Sequence, residues 1–242
     1  MFTQMFFGLV IVMVYLAFYE SADPSELPMT IAQTVTYAWL AQSLLGLLPW
    51  RGDNDIQDMI RNGDFAYELV RPLDTYNYWY YRIMAKRIAA TIVRCIPLLV
   101  IVILFFPAEL TIGPPESLFG FLLFLITLIG GVILGGALSN IITISVLFTI
   151  GDGIERLFPA LVTIFSGMLI PLSFFPDWSQ LFLKLLPFSG LVDGPYKFYL
   201  GIYEASDLAF VLIHQLFWTV AFIILGRLMI NLAKKRIVVQ GG

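Results

Sequence analysis

Few side chains in the apolar parts of this sequence could carry chemistry. The chain of 242 residues has one histidine, His214, and every carboxylate lies at or beyond the end of an apolar stretch. The ionisable side chains within those stretches are therefore Arg94, Cys95, His214 and the tyrosines. Ion-coupled carriers usually place an acidic residue or a histidine at membrane depth, so the sequence offers little for ion coupling.

Arg94 and His214 each fit a structural role better than a functional one. Arg94 follows Arg87 by seven residues, which is close enough for its guanidinium to extend towards the cytoplasmic surface. A single neutral histidine in a helical bundle is more typical of a hydrogen bond between helices than of a proton relay.

Nucleotide hydrolysis by this chain is not predicted either. A phosphate-binding loop needs a glycine directly before a lysine, and no lysine here follows a glycine. The sequence also lacks HExxH and GxSxG arrangements, and one cysteine excludes an intrachain disulfide and a thiolate metal cluster. We therefore predict no catalytic residue, no metal site and no cofactor in this chain, so a partner must supply the energy for any active transport.

The composition places the chain in a lipid bilayer. Hydrophobic residues make up 59% and charged residues 13%, and the mean hydropathy is +0.86. The net charge of −3 and the absence of a basic patch with interleaved aromatic residues argue against nucleic-acid binding.

Long stretches with few or no charges predict an all-α integral membrane protein, one domain over 1–242. A hydrocarbon core of roughly 30 Å needs about 20 helical residues. Six such stretches, taken together with the polar residues at their ends, predict spans at approximately 1–19, 28–50, 78–106, 117–150, 155–175 and 207–232. The first stretch lacks the basic leading region of a signal peptide and is too long for one, so we expect it to remain.

Basic residues predict the orientation. Of the 14 lysines and arginines, all except Lys184 and Lys197 fall at the termini or in connections on one side of the six predicted spans. The positive-inside rule therefore predicts that both termini and the connection from Arg51 to Arg87 are cytoplasmic.

That connection contains a predicted short helix. Asp53 or Asn54 can cap its start and Gly63 can end it. Its apolar face has residues at i, i+3 and i+4, which are Ile56, Met59 and Ile60. A helix of two turns is too short to be stable alone, so this face must be covered, equally well by a groove of an ATPase or by the membrane surface.

Two sets of small or polar residues predict helix contacts. The fourth span has a small residue at every fourth position, namely Gly131, Gly135, Ser139 and Thr143. This stripe lets another helix approach closely, and a contact within the chain is favoured over one between chains. The second span has polar residues on roughly one face, namely Gln33, Thr36 and Ser43. Such residues face protein or a cavity rather than lipid, and hydrogen bonds between helices explain them best.

An amphipathic helix follows the fifth span. Its apolar residues are Trp178, Leu181, Phe182, Leu185 and Leu186, opposite Ser179, Gln180 and Lys184. It lies in the outer leaflet or dips into it as part of a re-entrant hairpin. The bulky residues Phe174, Phe175 and Trp178 could close the outer end of a pathway, or they could be an interfacial anchor.

Two segments resemble the permeases of type-2 ABC exporters. Residues 60–74 read IRNGDFAYELVRPLD, which is similar to the cytoplasmic loop of that family with its I-x-x-G…L-x-R-P-L pattern. Residues 165–176 read FSGMLIPLSFFP and are followed by LPF at 186–188 and YLG at 199–201. These are similar to the family's fifth span and its extracellular helical hairpin, and the resemblance covers nearly the whole chain.

The resemblance implies a membrane subunit of an exporter in the prokaryotic inner membrane. It implies six spans, an extracellular re-entrant hairpin between spans 5 and 6, and a second permease, identical or similar. A separate ATPase subunit would bind ATP and magnesium. The coupling helix between spans 2 and 3 would contact this ATPase through Ile56, Met59, Ile60 and Arg61. Family members usually begin with an amphipathic helix, whereas this chain enters an apolar run at Met1.

The resemblance also implies that Gln33, Thr36 and Ser43 line the dimer interface and the substrate path. An amphipathic substrate, such as a peptide, a drug or a lipid-like molecule, would suit this path. The alternatives are an autonomous channel or ion-coupled secondary transporter, and a membrane scaffold or sensor.

Overall fold

The computed structural model describes residues 2–23, 26–149 and 153–235. In these ranges the chain is helical and has no β-strand. Its α-helices are α1 (Phe2–Ser21), α2 (Ile31–Ser43), α3 (Asn54–Arg61), α4 (Phe65–Val70), α5 (Thr75–Phe105), α6 (Leu118–Ser145), α7 (Gly153–Phe165), α8 (Asp177–Leu185), α9 (Asp193–Tyr199) and α10 (Leu208–Lys234). The predicted end of the fourth span at residue 150 and the C-terminal residues 236–242 lie outside the described residues.

Four helical segments are long and apolar enough to cross a membrane. They are α1, α5, α6 and the segment Ala205–Lys234, which consists of a short 3-10 helix and α10. Their lengths are 20, 31, 28 and 30 residues, so each reaches the roughly 30 Å of a hydrocarbon core. The prediction of an all-helical membrane protein is confirmed at this level.

The predicted second and fifth spans contain shorter helices. Both α2 and α7 have 13 residues, and a helix of that length extends over only about 20 Å. Thr30 and Gln33 form a capping box at the start of α2, and a 3-10 helix at Leu45–Leu47 follows its end. Helix α2 is buried from Thr34 to Ser43, whereas no residue of the 3-10 helix after it is fully buried. Six complete spans stay a prediction.

Helix α6 forms the centre of the bundle. It packs against α10, α9 and α5, and every residue from Leu134 to Ser145 is buried. Close packing is possible because a Cβ at Gly131 would collide with the carbonyl oxygen of Leu191, and one at Gly136 with the Met84 side chain. Most of the predicted stripe thus faces parts of the same chain.

The segment between α7 and α10 folds back on the bundle. A 3-10 helix at Leu172–Phe174 leads into α8, and all seven residues of α9 are buried. Helix α5, on another side of the bundle, contains Pro97 in its interior.

Candidate functional site

Helix α3 begins at a well-formed cap. The Asp53 side chain accepts hydrogen bonds from the backbone N–H groups of Asp55 (3.0 Å) and Ile56 (3.4 Å). These bonds satisfy donors that have no partner within the first turn of a helix. The helix ends before Gly63, whose φ of +83° is the left-handed conformation that favours glycine.

The same carboxylate also holds α5. Arg82 donates from Nε to Asp53 Oδ2 over 3.1 Å, and Lys86 Nζ lies 2.9 Å from that oxygen. Both cations also contact Asp55, each over 2.6 Å. The Asp53 side chain is 2% exposed, so these charge-assisted bonds are partly shielded from solvent.

A third contact connects this cap to α6. The backbone N–H of Asp53 donates to Thr143 Oγ1 over 2.9 Å, and Thr143 donates to the carbonyl of Ser139. Asp53, Arg82, Lys86 and Thr143 are called the α3 anchor below. Through the α3 anchor, a short polar helix is fixed to two helices that are long enough to cross a membrane.

Asp55, next to the α3 anchor, contributes to the stability of the folded state at neutral pH through its ion pair with Lys86. The hydrogen bond from Lys86 is the largest cause that lowers the pKa of Asp55 below its usual value. Because a lowered carboxyl pKa stabilises the folded state above the pKa of the unfolded chain, this contribution is lost as the pH falls. The group is fully exposed, so the contribution is small.

The apolar face of α3 is covered by the chain itself. Ile56 is 3% exposed and lies in a cluster with Phe65, Trp79 and Ile144. Met59 and Ile60, half-buried, pack against the same cluster. Residues of the same chain therefore cover most of this face, whereas the sequence left a groove of an ATPase and the membrane surface open as its cover. The surface that α3 presents outward is polar and consists of Asn54, Asp55, Asp58 and Arg61.

The polar residues of α2 serve different purposes. Gln33 Nε2 donates to the carbonyl of Leu200 over 3.1 Å, and Thr36 Oγ1 accepts from the N–H of Gly113 over 2.9 Å. Ser43 is buried, and its hydroxyl has no hydrogen-bond partner in the described part of the chain. In the single chain, Gln33 and Thr36 thus hold loops on the bundle, and no common polar surface joins the three residues.

The candidate gate residues differ in their surroundings. Phe174 contacts α1, with ring centroids 6.3 Å from those of both Tyr15 and Phe18. Trp178 is 86% exposed and lies on the outward apolar face of α8. Phe175, which lies between them in the sequence, is half-buried. Within this chain Phe174 thus packs on a long helix, while Trp178 leaves its ring uncovered.

A buried ion pair that was not predicted from the sequence lies in the segment between α7 and α10, residues 166–207, which is called the hairpin below. Lys197 Nζ is 2.7 Å from Asp193 Oδ2, and the two side chains are 3% and 2% exposed. Asp193 Oδ1 accepts from the Tyr37 hydroxyl and from the N–H of Leu172, each over 3.1 Å. Asp193 and Lys197 are at positions i and i+4 of a helix, a spacing in the sequence that indicates an ion pair.

The ion pair favours the charged form of Lys197. Burial disfavours the charged form of Lys197, but the Asp193 carboxylate outweighs it and raises the pKa of Lys197 above its usual value. The pair joins α9 to α2 and to the segment after α7. It therefore fixes the position of the hairpin on the bundle.

His214 lies in a buried contact between helices, and Arg94 lies at the surface. His214 is buried, and its Nε2 lies 3.4 Å from the carbonyl oxygen of Leu185, where α8 ends. Arg94 is exposed on the surface of α5. His214 lines a small cavity that Asp193 and Lys184 also line.

The small-residue stripe allows a direct test of packing. We expect Gly131→Ala to lower the free energy of unfolding by about 1–3 kcal/mol, because its Cβ would meet a backbone carbonyl that cannot move aside alone. Gly135→Ala is the matched control, since its nearest neighbour is 3.2 Å away. Denaturation in mixed detergent micelles measures both, and equal losses would contradict this packing.

Comparison with known proteins identifies a family. A family model described as ABC-2 family transporter protein matches residues 3–241. The matched range includes the α3 anchor, the hairpin and the four long apolar helices. No curated protein and no solved structure matches the chain.

Proposed function

The chain belongs to the ABC-2 family of transporter proteins, and from this premise we propose that it is the permease subunit of an ATP-binding cassette exporter. Permeases of the family work with ATP-binding subunits. A separate ATPase subunit would therefore bind ATP and magnesium, while this chain provides the path through the membrane. The substrate would be amphipathic, such as a peptide, a drug or a lipid-like molecule.

The observation that carries this proposal is the α3 anchor. A helix that transmits motion must be attached firmly to the spans and must also present a surface to the motor. Helix α3 meets the first condition through Asp53, which bonds to Arg82 and Lys86 on α5, and to Thr143 on α6. It meets the second through its exposed polar side.

The apolar residues of α3 and its exposed polar residues would have different roles in coupling. Ile56, Met59 and Ile60 would seat α3 on the bundle, so that a displacement of α3 moves α5 and α6 with it. Arg61, together with Asn54 and Asp58, would contact the ATPase directly. ATP binding would move the ATPase subunits, and the anchored helix would pass this motion to the spans.

The wider arrangement follows the sequence predictions. We propose six spans with both termini in the cytoplasm of a prokaryotic cell, where α2 and α7 cross the bilayer together with the irregular segments next to them. A second permease would complete the path. Gln33, Thr36 and Ser43 would then lie near the contact between the two permeases, with Phe174, Phe175 and Trp178 at the outer end.

Charge reversal on the exposed side of α3 tests the proposal. The wild-type chain should co-purify from native membranes with a subunit that has a phosphate-binding loop. Asp58→Lys should reduce the amount of this subunit by on the order of tenfold, because a reversed charge in a polar interface opposes its partner. Thermal unfolding should not change, since Asp58 is exposed.

Glu109→Lys is the matched control, because it reverses an exposed charge in the loop between α5 and α6. Equal recovery of the ATPase with both variants would contradict the assignment of α3. Transport by the purified chain in liposomes without any ATPase would instead support an autonomous channel or an ion-coupled carrier.

A further inference from the structure

An apolar groove lies between α5, α6 and the end of the α2 segment. Its cavity has a volume of about 340 Å³, and its wall is apolar apart from Thr91 and Cys95. Side chains from all three elements form this wall, including Leu47, Ile88, Cys95, Ile129 and Ile133. Ile88, Ile129 and Ile133 are also exposed on the outer surface of the bundle, so the groove opens sideways towards lipid.

Cations lie at one end of this groove. Arg87 donates to the carbonyl of Leu47 in the groove wall over 3.3 Å and to the carbonyl of Arg51 over 2.9 Å. The Arg51 side chain is exposed beside it. The site is thus an apolar groove on the side of α5 and α6. Its end near the α3 anchor is positively charged.

The geometry points to a binding site for one acyl chain of an anionic phospholipid, with the phosphate at Arg51 and Arg87. Basic pockets between membrane helices on the cytoplasmic side are typical sites for anionic lipid head groups. The inference rests on the proposed orientation, which places this end of α5 in the cytoplasmic leaflet. It adds a specific lipid as a partner of the permease.

Volume and charge favour a lipid over a protein in this groove. The cavity volume lies near the lower end of the roughly 300–1,000 Å³ that is usual for small-molecule sites. A second copy of the chain related by a two-fold axis at this face would bring Arg51 and Arg87 of both copies together, and like charges oppose such a contact. An anionic lipid instead complements both the wall and the cations.

Groove filling tests the acyl-chain site. The purified full chain is incubated in mild detergent with 1-palmitoyl-2-oleoyl phosphatidylglycerol or the matching phosphatidylcholine, and bound lipid is counted by native mass spectrometry. Cys95→Phe puts a ring into the slot and should reduce bound phosphatidylglycerol at least about fivefold. Val93→Phe is the matched control, because Val93 is exposed on the same helix outside the groove wall and the variant should bind like wild type.

The head-group site has its own variant. With Arg51→Gln, the ratio of bound phosphatidylglycerol to bound phosphatidylcholine should fall close to one. Lys234→Gln, at the exposed end of α10, should leave this ratio unchanged. If Cys95→Phe does not give a monodisperse protein, Ile129→Ala, which removes part of the wall, should also release the lipid.

Two results would overturn the inference. One is equal retention of lipid by the groove-filling variant and Val93→Phe, and the other is a wild-type chain that does not distinguish the two lipids. The assay contains no ATPase, so its failure would leave the proposed export function standing. Conversely, absence of an ATPase partner would not alter lipid retention.

Discussion

Asp53→Ala should lower the free energy of unfolding by about 2–4 kcal/mol and abolish transport-coupled ATP hydrolysis. The variant loses the cap of α3, which contributes about 0.5–2 kcal/mol, and the charge-assisted bonds to Arg82 and Lys86. With both lost, α3 would no longer be fixed to α5, so motion of a partner at α3 would not reach the spans. Denaturation in mixed micelles and ATP turnover of the reconstituted complex measure the two effects.

A graded series separates capping from anchoring. Asp53→Asn retains an acceptor for the cap but removes the charge, so it should keep part of the stability and still uncouple ATP turnover from transport. Asp58→Asn is the stability control, because Asp58 is exposed and its ion pair with Arg61 is long, at 3.5 Å. An Asp53→Ala variant with wild-type coupling would exclude the α3 anchor as the route of transmission.

Lys197→Met should lower the free energy of unfolding by about 3–5 kcal/mol, because it leaves the buried Asp193 carboxylate without its cation. A fall in thermal unfolding temperature, followed by tryptophan fluorescence, would report the loss. The hairpin should also become accessible to protease, since Asp193 holds it on α2 through Tyr37.

The double variant Asp193→Asn/Lys197→Met tests the cause of that loss. It removes both charges, while the Asn oxygen can still accept from Tyr37 and Leu172, so most of the stability should return. If the double variant is as unstable as the sum of the single variants, the loss comes from packing and not from an unpaired charge.

The sequence predicted elements better than contacts. The cap at Asp53 and the apolar spacing of Ile56, Met59 and Ile60 both follow from local rules, and the structure has the helix at these residues. Periodicity identifies an apolar face but not what covers it. Trp79 and Ile144, which lie on α5 and α6, belong to the same cluster as Ile56, and no local pattern around α3 predicts this contact.

The buried ion pair shows the same limit. Asp193 and Lys197 have the spacing of a helical pair, but the importance of the pair depends on Tyr37, which is 156 residues from Asp193. The uncharged stretch at 28–50 likewise does not distinguish a straight lipid-crossing helix from α2, a short helix enclosed by protein. Both distinctions depend on tertiary packing, which a single sequence does not record.

The length of α5 and the position of its proline have a mechanical consequence. With 31 residues the helix is about 46 Å long, roughly 16 Å more than a hydrocarbon core, so its anchored end can stand clear of the acyl chains. Pro97 cannot donate a backbone hydrogen bond. The turn before it therefore bends more easily than the rest of the helix. A lateral displacement of α5 at Arg82 would therefore change the bend of the helix at Pro97. The shorter part of α5 after Pro97 would then move at the opposite face of the membrane.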